Sequence, residues 1–312
     1  MRSSDVRTLM VYAVTPLHVG SGRSGGVVDL PVQRDPFGYP VVYASSFKGA
    51  LKSFCGEVYD LPLKDGRLDC EKAKVCCCLF GPERGDETGS GVVTVTDLIP
   101  LFVPVPSMDK GYVYVTSKYL LSRALDFLEL GGDAELKNEL TELLNCVQKN
   151  SKGTVKVDVA GVNRPICEVE VKLFNGLGVL ADKLKEGVVV LDDEEGSEIL
   201  ERAYVRVTRN SIDLTTKTVK EGALWTEEYL PQGTILMGAL IPSVPKDNKY
   251  CAEGSSNNVC DGACFERKLG EFLSKVSGGK GDGVKTFFIN LGGKETVGKG
   301  IIKVVVNGGV KR

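Results

Sequence analysis

Two groups of residues in this sequence could do chemistry. The first could move protons or hold a cation. His18 is the only histidine of the chain, and its type titrates near neutral pH, so it can serve as a general acid or base. A satisfied structural histidine is the equal alternative. Asp29 lies in VVDLP, among apolar neighbours that give a carboxylate no obvious structural duty. Read from the residues alone, it is more readily a turn or capping aspartate. Glu227, Glu228 and Tyr229 fall in one strand-like run, which puts Glu227 and Tyr229 on one face and Glu228 on the other. The plain reading of that run is a solvated strand edge.

The second group suits phosphate. Gly20, Ser21, Gly22, Gly25 and Gly26 make a turn in which backbone can lie close to a ligand. Ser45 or Ser46 can cap a following helix, with Phe47, Leu51, Phe54 and Val58 on one face and Lys48 and Lys52 turned away from it. The free N–H groups of such a helix start, with Lys48 in its first turn, make an anion site. Near the end, GGKETVGKG contains G-x-x-x-x-G-K. An NTPase loop needs Ser or Thr after the lysine and a helix after the loop; here Gly300 follows Lys299 and the segment joins two strands. A loop that holds a phosphodiester backbone through its amides and Lys294 or Lys299 is the better functional reading, with a tight hairpin as the alternative.

These residues need elements to position them. Leu9 to Val14 alternate as a half-buried strand, and the runs 92–96, 98–105 and 112–115 read as strands, the first two paired. Ser117–Leu130 and Ala134–Val147 carry helical spacing, with Leu120, Ala124, Phe127 and Leu128 on one buried face. Strand signals at 154–159 and 166–171 and a helical one at 179–184 follow. Strand character returns at 204–209, 224–230 and 234–241, the last apolar enough to be central. A helix over 264–276 and strands at 285–291 and 301–306 close the chain. This order predicts an α+β fold, a ferredoxin-like or RRM-like antiparallel sheet with long insertions, a kind of sheet that suits single-stranded RNA.

Composition narrows the options. Lys and Arg total 39 against 41 acidic residues, so the whole chain lacks the basic charge of a non-specific nucleic-acid binder, and any RNA contact must be a local basic groove. No apolar run approaches the roughly 18 residues of a bilayer span, and the N-terminus has no apolar signal core. We therefore expect a cytoplasmic protein with no membrane partner. Its ten cysteines show no paired C-x-x-C spacing around a finger-sized loop, so disulfides within or between insertions read better than zinc, with free thiols still open.

TPLHVGSG, VVDLPVQRD, the S-x-K-G of Ser46–Gly49, LWTEEYLP and GGKETVGKG together resemble the RAMP superfamily of CRISPR-associated proteins. The resemblance runs from about Thr8 to Val306. It is closest to the repeated backbone subunit, the fourth-numbered, of type III-B (Cmr) RNA-targeting complexes; His18, Asp29 and WTEEY carry that finer match. The resemblance implies one RAMP domain over 1–312; the loop-rich and cysteine-bearing composition of about 60–91, 145–200 and 246–262 reads as insertions into it, the first of them exposed over Asp60–Phe80. The resemblance also implies a guide-RNA groove made by Gly20, Ser21, Gly22, Arg34, Ser46, Lys48, Lys52, Gly293, Lys294, Gly298 and Lys299. Asp29 would be the catalytic residue for cutting target RNA at regular intervals by metal-assisted attack of a ribose 2′-hydroxyl, where it would hold a divalent metal, magnesium or manganese, or orient the attacking hydroxyl. His18, Glu227 and Tyr229 would assist proton transfer. Implied partners are guide (CRISPR) RNA, target RNA, copies of the chain in a helical filament and other Cmr subunits. A segment within 164–197 would wedge into the guide–target duplex. A non-catalytic guide-binding scaffold and a free-standing RNA-processing nuclease are the competing readings.

Overall fold

The alternation at the start of the chain makes a strand, β1 (Arg7–Ala13), but water meets little of either face. Leu9, Val11 and Ala13 pack with Phe47 and Leu51 of α1 (Ala44–Val58), while Met10 packs with the leucines of two later helices. The computed structural model describes residues 6–24, 26–61, 63–64, 67–82, 89–131, 133–148, 156–167, 184, 187–244, 248–251, 262–277 and 284–307. After α1 come β2 (Leu63–Lys64), β3 (Arg67–Leu68), α2 (Lys74–Phe80), β4 (Val93–Val95), β5 (Ile99–Ser107) and β6 (Gly111–Ser117). Helices α3 (Lys118–Gly131) and α4 (Ala134–Gln148) form where helical apolar spacing predicts them, and α3 buries Leu120, Ala124 and Leu128. Next are β7 (Lys156–Val159), β8 (Val162–Pro165), β9 (Val188–Leu191) and α5 (Asp193–Glu201). A long two-stranded ribbon follows, β10 (Val205–Ile212) with β11 (Val219–Tyr229). The chain then closes with β12 (Ile235–Pro242), α6 (Gly262–Val276), β13 (Lys285–Asn290) and β14 (Ile301–Val306).

The main sheet runs β13-β14-β1-β12-β5-β6-β9, with β4 also paired to β12. All its pairings are antiparallel except β6 with β9. The α+β expectation is met, and β12 is central, buried from Ile235 to Leu240. One implication of the sheet fails. Helices α1, α2 and α6 cover one face and α3 and α4 the other, so RNA cannot lie across the middle of the sheet.

Other local readings also change. β4 and β5 do not pair with each other; β1 takes one edge of β12, and β5 (at Ile235–Met237) and β4 (at Leu240–Pro242) divide the other edge between them, which satisfies its backbone along the strand. The stretch 60–80 is no exposed insertion, since Cys76, Cys77 and Cys78 of α2 are all fully buried. A helix this short does not hold by itself. Disulfides Cys55–Cys76, Cys70–Cys77 and Cys78–Cys251 tie it to three other segments, and Cys146–Cys167 ties the end of α4 to the residues after β8. β9 lies within 145–200 yet extends the main sheet. Helix α5, which the sequence reading missed, opens with Asp193, Glu194 and Glu195, acids that favour a helix N-terminus. Gly25, the strand reading over 168–171, nearly all of the helical reading over 179–184, and residues 168–183 of the segment expected to wedge lie outside the described residues. No described helix is long and apolar enough to cross a membrane.

Candidate active site

The site is built on the last residues of β11, Trp225 to Tyr229. Strand alternation sends Trp225, Glu227 and Tyr229 to one side, where the indole N–H and the phenol both donate to Glu227. Three further pieces of chain close around this strand. The segment 17–34 runs along it, with backbone pairing of Leu17 to Leu230 and of Leu30 to Glu227. β10 supplies arginines, and the β13–β14 loop supplies lysines.

Asp29 meets Thr226 across a sequence separation of 197 residues. Its Oδ2 accepts the Thr226 backbone N–H at 2.7 Å and the Thr226 hydroxyl at 2.9 Å, and the Asp29 N–H donates to the same hydroxyl oxygen at 2.9 Å. Neither bond to the carboxylate falls on Oδ1. These donors, backbone first, hold the Asp29 carboxyl below its ordinary value, with help from the charge of Arg23. The aspartate sits half-exposed at the surface, not in the interior.

Glu227 and Glu228 are both 1 % exposed, which excludes a solvated edge. Glu227 Oε1 accepts from Lys294 Nζ at 2.5 Å and Trp225 Nε1 at 2.7 Å, and Oε2 accepts from Arg209 Nε at 3.3 Å and from the Tyr229 hydroxyl. Burial pushes this carboxyl up, but the bonds from Lys294, Tyr229 and Trp225 outweigh it and hold the group down at about 2. Burial and the bond to Glu227 raise the Tyr229 phenol. On the other side of the strand, Glu228 pairs with Arg34 at 3.0 Å and Arg206 at 3.1 Å and accepts the Val32 N–H at 3.2 Å. Four cations thus surround two buried carboxylates. Glu201 also pairs with Arg206 at 2.9 Å and with Arg34 at 3.8 Å, so these groups together carry a surplus of one positive charge, a small local basic character that the chain as a whole lacks.

His18 is buried beside Tyr229, with ring centroids 5.4 Å apart. Its Nδ1 lies 2.7 Å from the Glu228 carbonyl, which can only accept, so Nδ1 carries the proton. Gly20 lies against Nε2, where a Cβ would sit at 2.8 Å. The His18 carbonyl in turn accepts the Gly293 N–H at 2.8 Å. Gly292, at φ +83°, passes so close to that carbonyl that a Cβ would sit 2.2 Å from it.

The expected RNA-binding residues divide. Gly20 and Gly293 lie against His18, Lys294 reaches Glu227 and Lys299 Nζ lies 5.5 Å over the Tyr229 ring, while Ser21, Gly22 and Gly298 belong to the same two turns, with open space around Gly22 and Gly298. The Ser21 amide is spent inside the loop on the Pro31 carbonyl at 3.1 Å. Arg34 is taken up by Glu228 and by the ring of Tyr204, 5.1 Å away, so it braces the site. At α1 the anion-site reading does not hold. Tyr43 is the N-cap, Ala44 N–H donates to Asp97 Oδ1 at 2.7 Å, and the Ser46 and Phe47 amides return to the Tyr43 carbonyl. A carboxylate and a backbone oxygen already fill the place meant for phosphate. Lys52 does not face away either; it is buried and donates to the Gly81 carbonyl at 2.6 Å, satisfying a loop carbonyl against the core. Lys48 has no ion-pair or hydrogen-bond partner among the described residues.

Sequence reading missed Thr226, Arg206, Arg209 and Gln33. Buried Gln33 joins the glycine turn to α1, donating to the Gly20 carbonyl at 3.2 Å and accepting the Tyr43 N–H at 3.0 Å. Only the position of Thr226 next to Glu227 gave a signal. Among the described residues no three His, Cys, Asp or Glu side chains group as metal ligands. With Glu227 and Glu228 saturated, Asp29 is the one carboxylate of this group that could reach a divalent ion. Magnesium is commonly held by one or two carboxylates with water and phosphate oxygens, so a single aspartate fits that manner of binding.

The RAMP superfamily pattern matches residues 11–303. The "CRISPR system Cmr endoribonuclease Cmr4" of Pyrococcus furiosus is 31% identical, covering 95% of this chain and 94% of that protein. The "CRISPR system CMR subunit Cmr4" of Saccharolobus solfataricus is also 31% identical, over 96% of each. Among solved structures, a chain of the type III-B Cmr-beta complex bound to cognate target RNA is 27% identical, with a TM-score of 0.69 over 96% of both chains. This chain therefore belongs to the RAMP superfamily and, within it, to the Cmr4 family.

Proposed function

We propose that the chain is a guide-RNA-binding backbone subunit of a type III-B effector complex, and that it cuts target RNA paired to that guide at Asp29. The observation that carries this reading is a surface carboxylate with one oxygen tied by Thr226, set beside partly exposed cations anchored on Glu227 and Glu228 and beside the glycine turn. Oδ1 accepts the hydrogen of a ribose 2′-hydroxyl and holds it in line with the neighbouring phosphorus. The O2′–P bond forms as the P–O5′ bond breaks, leaving a 2′,3′-cyclic phosphate and a 5′-hydroxyl, with proton exchange through water. In-line positioning of this kind lowers a barrier by roughly 7 to 11 kcal/mol in favourable cases. A magnesium or manganese ion on Asp29 would, when bound, offset charge developing on the phosphate.

Glu227 and Tyr229 act through Lys294 and Lys299, which they hold at the rim of the site; His18 braces the β13–β14 loop against β11. Burial suits all three to holding instead of carrying protons, with both oxygens of Glu227 occupied, Tyr229 donating to Glu227 and His18 donating from Nδ1 to the Glu228 carbonyl. Lys299, Lys48, Gly20, Ser21, Gly22, Gly293 and Gly298 remain as RNA contacts, without Arg34, Ser46 and Lys52. Copies of the chain stack head to tail along the guide, since heterologous contacts that do not close give a filament. In the assembled complex, Asp29→Asn should bind target RNA and leave it uncut. Undiminished cutting would remove Asp29 from the mechanism and leave a guide-binding scaffold.

A further inference from the structure

We infer that Thr226 is the positioning residue for the Asp29 carboxylate, setting by its hydroxyl which oxygen faces the RNA. This rests on the reading of Asp29 given above. The hydroxyl works in both directions: it donates to Asp29 Oδ2 at 2.9 Å and accepts the Asp29 backbone N–H at 2.9 Å. It therefore fixes the aspartate at two points, the main chain and the carboxylate. A second donor, the Thr226 N–H at 2.7 Å, falls on the same oxygen. Both donors on Oδ2 leave Oδ1 as the outward oxygen and fix the plane of the carboxylate.

The residue type fits the task. Threonine is branched at Cβ, so its χ1 is restricted and little rotational freedom is lost when the hydroxyl points at Asp29. It also suits a strand, so β11 carries it without strain. The loop does not depend on this side chain for its docking. Leu30 N–H donates to the Thr226 carbonyl at 3.1 Å and Glu228 N–H donates to the Leu30 carbonyl at 3.0 Å, and both bonds are backbone only. Removing the hydroxyl should therefore leave the carboxylate on the Thr226 N–H alone, free to turn about that one bond, while the loop stays on the strand.

The test uses the assembled complex with guide and target RNA, measuring single-turnover cutting and target affinity separately. Thr226→Val keeps the shape and removes the hydroxyl; its cutting rate should fall about 10- to 100-fold, the worth of one charge-assisted hydrogen bond. Target affinity should not change. Thr226→Ser restores the hydroxyl and should recover most of the rate, and Thr226→Val should add no loss to a complex already carrying Asp29→Asn. Cutting at the wild-type rate by Thr226→Val, where Asp29→Asn is inactive, would overturn the role of Thr226 alone. Normal cutting by Asp29→Asn would instead sink the reading of Asp29. A serine variant as slow as the valine one, or a valine complex that fails to assemble or loses target affinity, would assign Thr226 to packing and overturn the inference.

Discussion

Replacing Glu227 by Gln removes one charge from the centre of the site while nearly keeping the shape. Glu227 is 1 % exposed, and its two oxygens accept from Lys294, Trp225, Arg209 and Tyr229. A glutamine has one acceptor oxygen, so its amide nitrogen must face two of those donors. The drop from the ordinary 4.5 to about 2 corresponds to roughly 3 kcal/mol of stability at neutral pH. The sign follows from the direction of the shift. A carboxyl depressed in the folded state stabilises above the unfolded value, and the contribution is lost as pH falls toward the folded one. At pH 3 roughly 1.4 kcal/mol of it would remain. Guanidinium unfolding of the purified chain should therefore show Glu227→Gln weaker than wild type by about 3 kcal/mol at pH 7, with a clearly smaller gap at pH 3. In thermal melts the neutral-pH loss should lower the midpoint by about 6 °C for a chain of this size. A gap under about 1 kcal/mol at pH 7, or one that does not change with pH, would refute the claim that this carboxylate is held charged by its donors.

Two glycines of the β13–β14 loop make a contrast. Gly292→Ala meets both a left-handed backbone and the His18 carbonyl, whereas Gly298, at φ +74°, has nothing within 4 Å of an added Cβ. Gly298→Ala should cost about 1 to 2 kcal/mol from backbone strain alone, and Gly292→Ala clearly more; equal costs in urea unfolding would show that the contact with His18 is unimportant. The Cys78–Cys251 bridge closes a separation of 173 residues, so Cys78→Ala with Cys251→Ala should lower stability by about 2 to 5 kcal/mol. An unchanged melting temperature would show that the bridge constrains neither state.

Much of the framework was legible in the sequence because its signals are local. Alternation gave β1, a nearly continuous apolar run gave β12, helical spacing gave α3, α4 and α6, and glycines between apolar runs marked the β13–β14 turn. The run Trp225–Tyr229 was legible as a strand with Glu227 and Tyr229 on one side, since a pleated backbone alternates whatever it packs against. The short helix α2 was misread because three successive cysteines carry no periodic signal; only their separate bridges place it in the core.

By itself, then, the sequence determined the types of element and the residues able to do chemistry, Asp29 among them. What only the tertiary structure decided was the company each charge keeps. Arg34 and Lys52 read as cations of an RNA groove but are committed to Glu228 and Gly81, and Asp29 is aimed by a threonine 197 positions away. The physical reason is one of range. Backbone periodicity is set by neighbours a few residues apart, whereas the partner of a charge or hydrogen-bond donor is set by whichever distant strand or loop the fold brings within about 3 Å.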